Sequence, residues 1–256
     1  MIKLLQGDCL ELMQNIPDKS IDMILCDLPY GITRNTWDLV LDLDLLWKEY
    51  KRIIKDNGAI ILFGQDKFTM KVMLSNEKWH RYNLIWDKCS TTGFLNANRM
   101  PLRQHEDIMV FYKKLPIYNP QKWEGTAPSH KRCKKDFKLN DIQKINGNYG
   151  DYYIGNYNQE TTESNLKYPT SIISIKRVPV SKCVHPTQKP VTLLEYLIKT
   201  YTKENDLVLD NCMGSGSCGI ACLNTNRNFI GMELNENYFN IAKNRIEQRL
   251  EELKND

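Results

Sequence analysis

Two clusters in this chain of 256 residues have the types and spacing to act on a ring amine. The first is Asp27-Leu28-Pro29-Tyr30. A carboxylate beside a backbone carbonyl fixed by the following proline offers two acceptors to an amino group, and the tyrosine ring offers a face for stacking. The same tetrapeptide also serves as a plain strand end closed by an Asp turn, so its meaning depends on what lies beside it. The second cluster is a G-x-G-x-x-G run, Gly214, Gly216 and Gly219, with Glu233 19 positions beyond Gly214. Glycines let a turn tighten and a ligand approach the backbone, while a carboxylate at the tip of the next strand can accept both hydroxyls of a ribose. Together they indicate a nucleoside-containing cofactor.

The elements that must carry these residues follow from the apolar pattern. Residues 21–26 form an apolar run of strand length, and Pro29 cannot continue a ladder, so the acid and the ring stand at a strand's C-terminal edge, where open α/β sheets bind ligands. Residues 1–5 predict a short strand and 9–13 a brief helix with Asp8 as its N-cap, which puts Asp8 at another strand end. Residues 31–38, a polar loop with Trp37 embedded in it, read as a lid. Leu45, Leu46, Trp47, Tyr50, Ile53 and Ile54 predict a helix ending at Asp56-Asn57-Gly58, followed by a buried strand over 59–63. A helix over 68–74 and strands over 83–86 and 108–112 come next, with 88–106 as a long polar loop. Pro190 suits the first turn of a helix through Ile198. Strands over 207–210 and 229–232 flank the glycine run and its helix, and a last helix capped by Asn235 buries Tyr238, Ile241, Ala242 and Ile246.

Between 113 and 182 apolar periodicity fades, and the stretch reads as an insertion. It carries Lys131, Arg132, Lys134, Lys135 and Lys138 among Trp123, Phe137, Tyr149, Tyr152, Tyr153, Tyr157 and Tyr168. Cations interleaved with aromatic rings suit phosphates and unstacked bases, and equally a solvated surface.

Composition narrows the class. With 41% apolar residues the chain supports one large α/β core with an insertion, and a net charge of +4 requires a polyanion to be met by a local patch. Eight cysteines without a Cys-x-x-Cys pair or zinc spacing indicate a reduced, cytoplasmic chain without a structural metal. The apolar N-terminus is too short for a signal peptide and no stretch could span a bilayer, so neither secretion nor membrane insertion is expected. After Glu233 only one helix remains, so the strands that complete the sheet must come from 1–112. That brings Asp27 and the glycine run to one rim. A nicotinamide enzyme would need a second mononucleotide half and a hydride-transfer partner, and neither is evident.

Taken together, Asp27-Leu28-Pro29-Tyr30, His185-Pro186-Thr187-Gln188-Lys189-Pro190 and the stretch from Asp210 to Gly219 with Glu233 resemble the amino-group DNA methyltransferases. The order, catalytic motif first and cofactor loop last, resembles their circularly permuted β group. The resemblance spans 1–112 and 183–249. It implies a Rossmann-like, S-adenosylmethionine-dependent α/β fold, its sheet mixed and mostly parallel with helices on both faces, in three segments: a catalytic half (1–112), an inserted target-recognition region (113–182) and a cofactor-binding half (183–256). By that analogy Gly214, Ser215 and Gly216 approach the amino-acid part of the cofactor, Glu233 its ribose and Asp8 its adenine, while Thr187 and Lys189 line the same pocket together with Asp27, and Asp210 organises the loop. The five basic residues would hold double-stranded DNA. A cognate restriction endonuclease and a homodimer are further expectations of the family.

The chain departs from the family at Leu28, where proline is commonest, and at Asn211 and Cys212, where proline and phenylalanine often stand. The first leaves the carboxylate, the residue-28 carbonyl and the ring available; the second changes the packing around the methionine tail. The implied reaction is methyl transfer to the N6 amine of a flipped-out adenine, with Asp27 and the Leu28 carbonyl accepting its hydrogens and Tyr30 stacking on the base. Cytosine C5 chemistry is excluded, because its cysteine nucleophile follows a proline and no cysteine here does. Adenine is preferred over cytosine N4 because the cytosine enzymes more often carry serine at the position of Asp27. N4-cytosine transfer and a catalytically silent nucleic-acid-binding protein are the alternatives.

Overall fold

The computed structural model describes residues 1–31, 41–126, 165–179, 181, 183–184 and 188–255, and the backbone of four strands between 130 and 161. The predicted lid with Trp37 thus falls almost wholly outside the described residues, as do Thr187, Lys134, Lys135, Lys138, Phe137, Tyr149 and Tyr157. In chain order the elements are β1 (Ile2–Gln6), α1 (Cys9–Leu12), β2 (Ile21–Cys26), α2 (Leu43–Ile53), β3 (Ile54–Gly64), α3 (Asp66–Ser75), β4 (His80–Thr92) and β5 (Arg103–Phe111). Short strands follow: β6 (Trp123–Glu124), β7 (His130–Cys133), β8 (Gln143–Gly147), β9 (Gly150–Ile154), β10 (Asn158–Thr161), β11 (Leu166–Lys167) and β12 (Ile172–Ser174). The chain then runs through α4 (Val191–Tyr201), β13 (Leu207–Asp210), α5 (Ser217–Asn224), β14 (Asn228–Glu233) and α6 (Glu236–Asn255).

Contacts divide the chain into two units, Met1–Asn119 with Thr170–Asp256, and Pro120–Pro169. The larger holds an eight-stranded sheet in the order β1-β14-β13-β2-β3-β5-β4-β12. β5 runs against both its neighbours and every other pair is parallel. Parallel strands buried on both faces need side chains that are apolar on both sides. β2 meets this by alternation: Ile24 and Cys26 pack with Met13, Trp47 and Tyr50 on one face. Met23 and Leu25 pack with Leu193, Leu197 and Ile246 on the other. Helices α1 to α3 therefore cover one face and α4 to α6 the opposite one. Asp42 caps α2 by accepting the backbone N–H groups of Asp44 and Leu45, and Asp8 caps α1 by accepting that of Leu10.

Three elements differ from the sequence reading. Helix α2 ends at Ile53, and Ile54 already pairs with Ile21, so Asp56-Asn57-Gly58 lies inside β3 rather than at a helix end. The stretch 88–106 is mostly a hairpin, with Trp86 opposite Glu106, Asp87 opposite His105 and Thr92 opposite Arg103. Backbone pairing there outlasts the apolar alternation because the outer ends of both strands face solvent, leaving 93–102 as the exposed tip. The second unit, lastly, is narrower than 113–182. Asn119 donates to the carbonyls of Lys199 and Thr202 at 3.1 Å each, and β12 pairs with β4 in the main sheet. The polar composition of the flanks marks surface connections and an edge strand.

The unit Pro120–Pro169 is built of two-stranded antiparallel ribbons, β6 with β11, β7 with β10 and β8 with β9. Lys131 and Arg132 lie on β7 opposite Glu160 and Gln159; their side chains lie outside the described residues. Among the described residues no helix is long and apolar enough to cross a membrane, and no group of three His, Cys, Asp or Glu side chains could hold a metal ion.

Candidate functional site

Strand periodicity decides which side chains meet at the sheet's upper rim. Leu25 on β2, Phe63 on β3, Trp86 on β4 and Ile108 on β5 all face the α4–α6 side. Two positions further along β2 and β4, and two positions back along the antiparallel β5, the same face carries Asp27, Lys88 and Glu106. Lys189 arrives from the connector before α4. Its ammonium donates to Asp27 Oδ2 at 2.5 Å and lies 3.2 Å from Glu106 Oε2, and Lys88 pairs with Glu106 Oε1 at 2.6 Å. Both lysines are only 8% exposed, while the side chains of Glu106 and Asp27 are 13% and 23% exposed, so this is a largely buried chain of two cations and two anions. Tyr30 completes the cluster, its hydroxyl donating to Asp27 Oδ1 at 2.8 Å and its ring stacked on Phe68 with centroids 4.6 Å apart.

Burial and these partners set the protonation states. Burial raises the Asp27 pKa, against the opposing pull of Lys189. Glu106 is held low, because the two lysines outweigh the effect of burial, and Lys189 is held high, because Asp27 and Glu106 outweigh it. Tyr30 is raised well above its usual range by burial and by the Asp27 charge.

The glycine run follows β13 as the sequence predicts. Gly214 and Gly216 adopt φ values of +50° and +78°, in the left-handed region that favours glycine. Gly219 lies inside α5, where a Cβ would stand 2.5 Å from Ile246 Cδ1. The Glu233 carboxylate reaches back across the rim to accept the Gly214 N–H and the Asn235 N–H, both at 2.9 Å. Burial raises its pKa against those two donors. Asp210 accepts the Cys212 N–H at 3.1 Å, and burial pushes its pKa up to about 7. Asn211 is buried with both ends of its amide partnered: its Oδ1 accepts the Tyr50 hydroxyl at 2.5 Å and its Nδ2 donates weakly to the sulfurs of Cys9 and Cys212 at 3.5 Å. A polar residue thus fills a position where the family often has proline because α2 supplies a donor.

One cavity of about 930 Å³ joins these groups. Asp8, Asp27, Leu28, Pro29, Tyr30, Lys189, Asp210, Gly214, Ser215 and Glu233 all line it, as do Lys88 and Glu106. Gly216 is instead turned toward Ala242 of α6. The residues brought together are thus the acid-and-ring cluster, the glycine turn and three carboxyl groups whose ionisation burial opposes. The sequence reading gives Lys88, Glu106, Phe68 and Tyr50 no place in the site; the signal for the first two is a single charge two positions from an apolar strand residue, Trp86 or Ile108.

The likeness to known proteins follows the same outline. The Type II methyltransferase M.HinfI of Haemophilus influenzae is 28% identical to this chain over 278 residues, covering 98% of this chain and 68% of that protein. The DNA adenine methyltransferase YhdJ of Escherichia coli strain K12 is 25% identical, with coverage of 95% and 82%. Among solved structures, that of the M1.HpyAVI–SAM complex superposes with a TM-score of 0.65 at 26% identity, covering 96% of this chain and 99% of that one. Residues 21–244, which hold both halves of the rim described above, match the DNA methylase family model, and the chain belongs to that family.

Proposed function

We propose that this protein transfers a methyl group from S-adenosylmethionine to the N6 amine of an adenine extruded from double-stranded DNA. The observation that carries the reading is the single cavity shared by Asp27, Tyr30 and the Gly214 turn. Its size suits a cofactor and a flipped base side by side. Its chemistry suits a cationic ligand, since burial opposes the ionisation of Asp210 and Glu233 and a cation beside them would favour it. Glu233 would hold the ribose hydroxyls, Asp8 the adenine ring, and Gly214 and Ser215 the amino-acid end; the family likeness assigns Thr187 to the same pocket. When bound, S-adenosylmethionine supplies an electrophilic methyl group on a sulfonium.

An exocyclic amine is a poor nucleophile, because its lone pair is delocalised into the ring. Asp27 and the Leu28 carbonyl, by accepting its two hydrogens, favour a pyramidal nitrogen and stabilise the positive charge that develops on it. Tyr30 would stack on the extruded base. Lys131, Arg132, Lys134, Lys135 and Lys138 would meet backbone phosphates. Asp27, and the relative named as an adenine methyltransferase, support adenine over cytosine. The Type II naming of M.HinfI supports a restriction endonuclease cutting the same site.

Incubation with tritiated S-adenosylmethionine and unmethylated DNA, followed by digestion to nucleosides, should place the label in N6-methyldeoxyadenosine. Label in N4-methyldeoxycytidine would reject the base assignment. The state of Asp210 gives a second test. A cation bound beside a carboxyl group with a pKa of about 7 favours its ionised form and so expels its proton. Calorimetry in buffers of different ionisation enthalpy should show proton release on cofactor binding near pH 6.5–7, and affinity rising with pH until Asp210 is ionised in the free protein. Asp210→Asn should remove that release.

A further inference from the structure

The buried run Lys88, Glu106, Lys189, Asp27 exceeds what methyl transfer by Asp27, Leu28 and Tyr30 requires. Removing four charges from water costs more than burying apolar residues of the same volume, and the adjacent positions on this face, Leu25, Trp86 and Ile108, are apolar. The run ends on the one carboxylate that would touch the substrate amine. Lys88 pairs with one oxygen of Glu106, Lys189 lies 3.2 Å from the other as an ion pair without a hydrogen bond, and Lys189 donates to Asp27 Oδ2 while Tyr30 donates to Oδ1. The Phe63 ring, 5.0 Å from Lys189 Nζ, gives the ammonium a second reason to stay.

We propose that Lys189 is the positioning residue of Asp27, holding its carboxylate ionised and fixed in plane, and that Glu106, anchored by Lys88, holds Lys189 in place. The inference rests on the reading of Asp27 as the acceptor of the amine. With one donor on each oxygen the carboxylate cannot rotate about its terminal bond, yet each oxygen keeps a lone pair for the substrate. The groups facing Asp27 act in opposite senses. Lys189 and Tyr30 favour the anion; Glu106 and Asp210 oppose it; Cys26 beside it remains a neutral thiol, pushed up to about 12 by burial. Removing Lys189 must therefore raise the pH at which Asp27 ionises, and so must freeing Lys189 from Glu106, because Lys189 acts on Asp27 more strongly than the opposing Glu106 charge.

The test compares Lys189→Met, Lys189→Arg and Glu106→Gln with the wild type. The ¹³C carboxyl resonance of Asp27, assigned by its loss in Asp27→Asn, is titrated in the free protein, and the pH profile of kcat is measured alongside. Lys189→Met should move both the titration and the acid limb up by about one pH unit or more, so that on that limb kcat at a given pH falls about tenfold. Lys189→Arg should return both toward the wild type, and Glu106→Gln, by freeing Lys189, should move both up by less than Lys189→Met does. A titration unmoved by Lys189→Met, or loss of activity equal at every pH, overturns the proposal. If Glu106→Gln fails to fold, the contrast between methionine and arginine at 189 decides alone. Methyl transfer by Asp27→Ala at the wild-type rate would remove the reading of Asp27 itself, whereas an unmoved titration removes only the role of Lys189.

Discussion

Alanine at position 27 should lower methyl transfer by about 10²–10⁴-fold, the range over which a positioned acid or base, or an electrostatic stabiliser, contributes. S-adenosylmethionine should still bind with nearly wild-type affinity, because the Gly214 turn and Glu233 stand on β13 and β14 and make their bonds to each other. Single-turnover kinetics with saturating DNA, beside calorimetric titration of the cofactor, separates the two effects. Parallel collapse of binding and turnover would make Asp27 a cofactor or fold residue and would remove the chemistry proposed for it. Asp27→Ala also leaves Lys189 with Glu106 as its remaining partner, so Asp27→Asn, which keeps the shape and one acceptor, is the control for stability.

The second large effect is on the fold. Gly216→Val should cost about 2–5 kcal/mol, the sum of roughly 1–2 for a side chain held at positive φ and roughly 1–3 for overpacking. A Cβ at Gly216 would stand 3.0 Å from Ala242 Cβ and 3.1 Å from Ala242 Cα, so α6 itself would have to move. Gly93→Val isolates the conformational part. Gly93 sits at φ +88° with nothing within 4 Å of a built Cβ, and its substitution should cost only about 1–2 kcal/mol. Denaturation midpoints for the pair give the packing contribution by difference. Equal losses would mean that α6 does not bear on the glycine turn.

Those residues mark how far the chain's own pattern reveals its structure. The β2 run, the Asp8 cap, the glycine turn after β13 and Glu233 at the end of β14 were all legible, because each depends on local rules of alternation, capping and left-handed turns. The hairpin of β4 and β5 was not. Its outer half pairs through the backbone while exposing polar side chains, so composition alone reads it as a loop. Lys88 and Glu106 were hidden by the same error, since a charge in a supposed polar loop attracts no notice. Their burial follows from long-range partners, Lys189 above all, and no local signal encodes a contact between residues 106 and 189. The stacking of Tyr30 on Phe68 was likewise invisible, because it depends on how α3 crosses the sheet.

The sheet order has a consequence for the newborn chain. Leu209 pairs with Ile24, and the Asp22 carboxylate accepts the Leu207 N–H, so one side of β2 waits for β13. On the ribosome, at about 5–20 residues per second, that edge stays bare for roughly 10–40 s. A bare apolar strand edge is a site for chaperones and for mispairing with other nascent chains. The sites on β2 and on β13 come into register only when both are present, so prematurely terminated translation yields no enzyme capable of marking DNA.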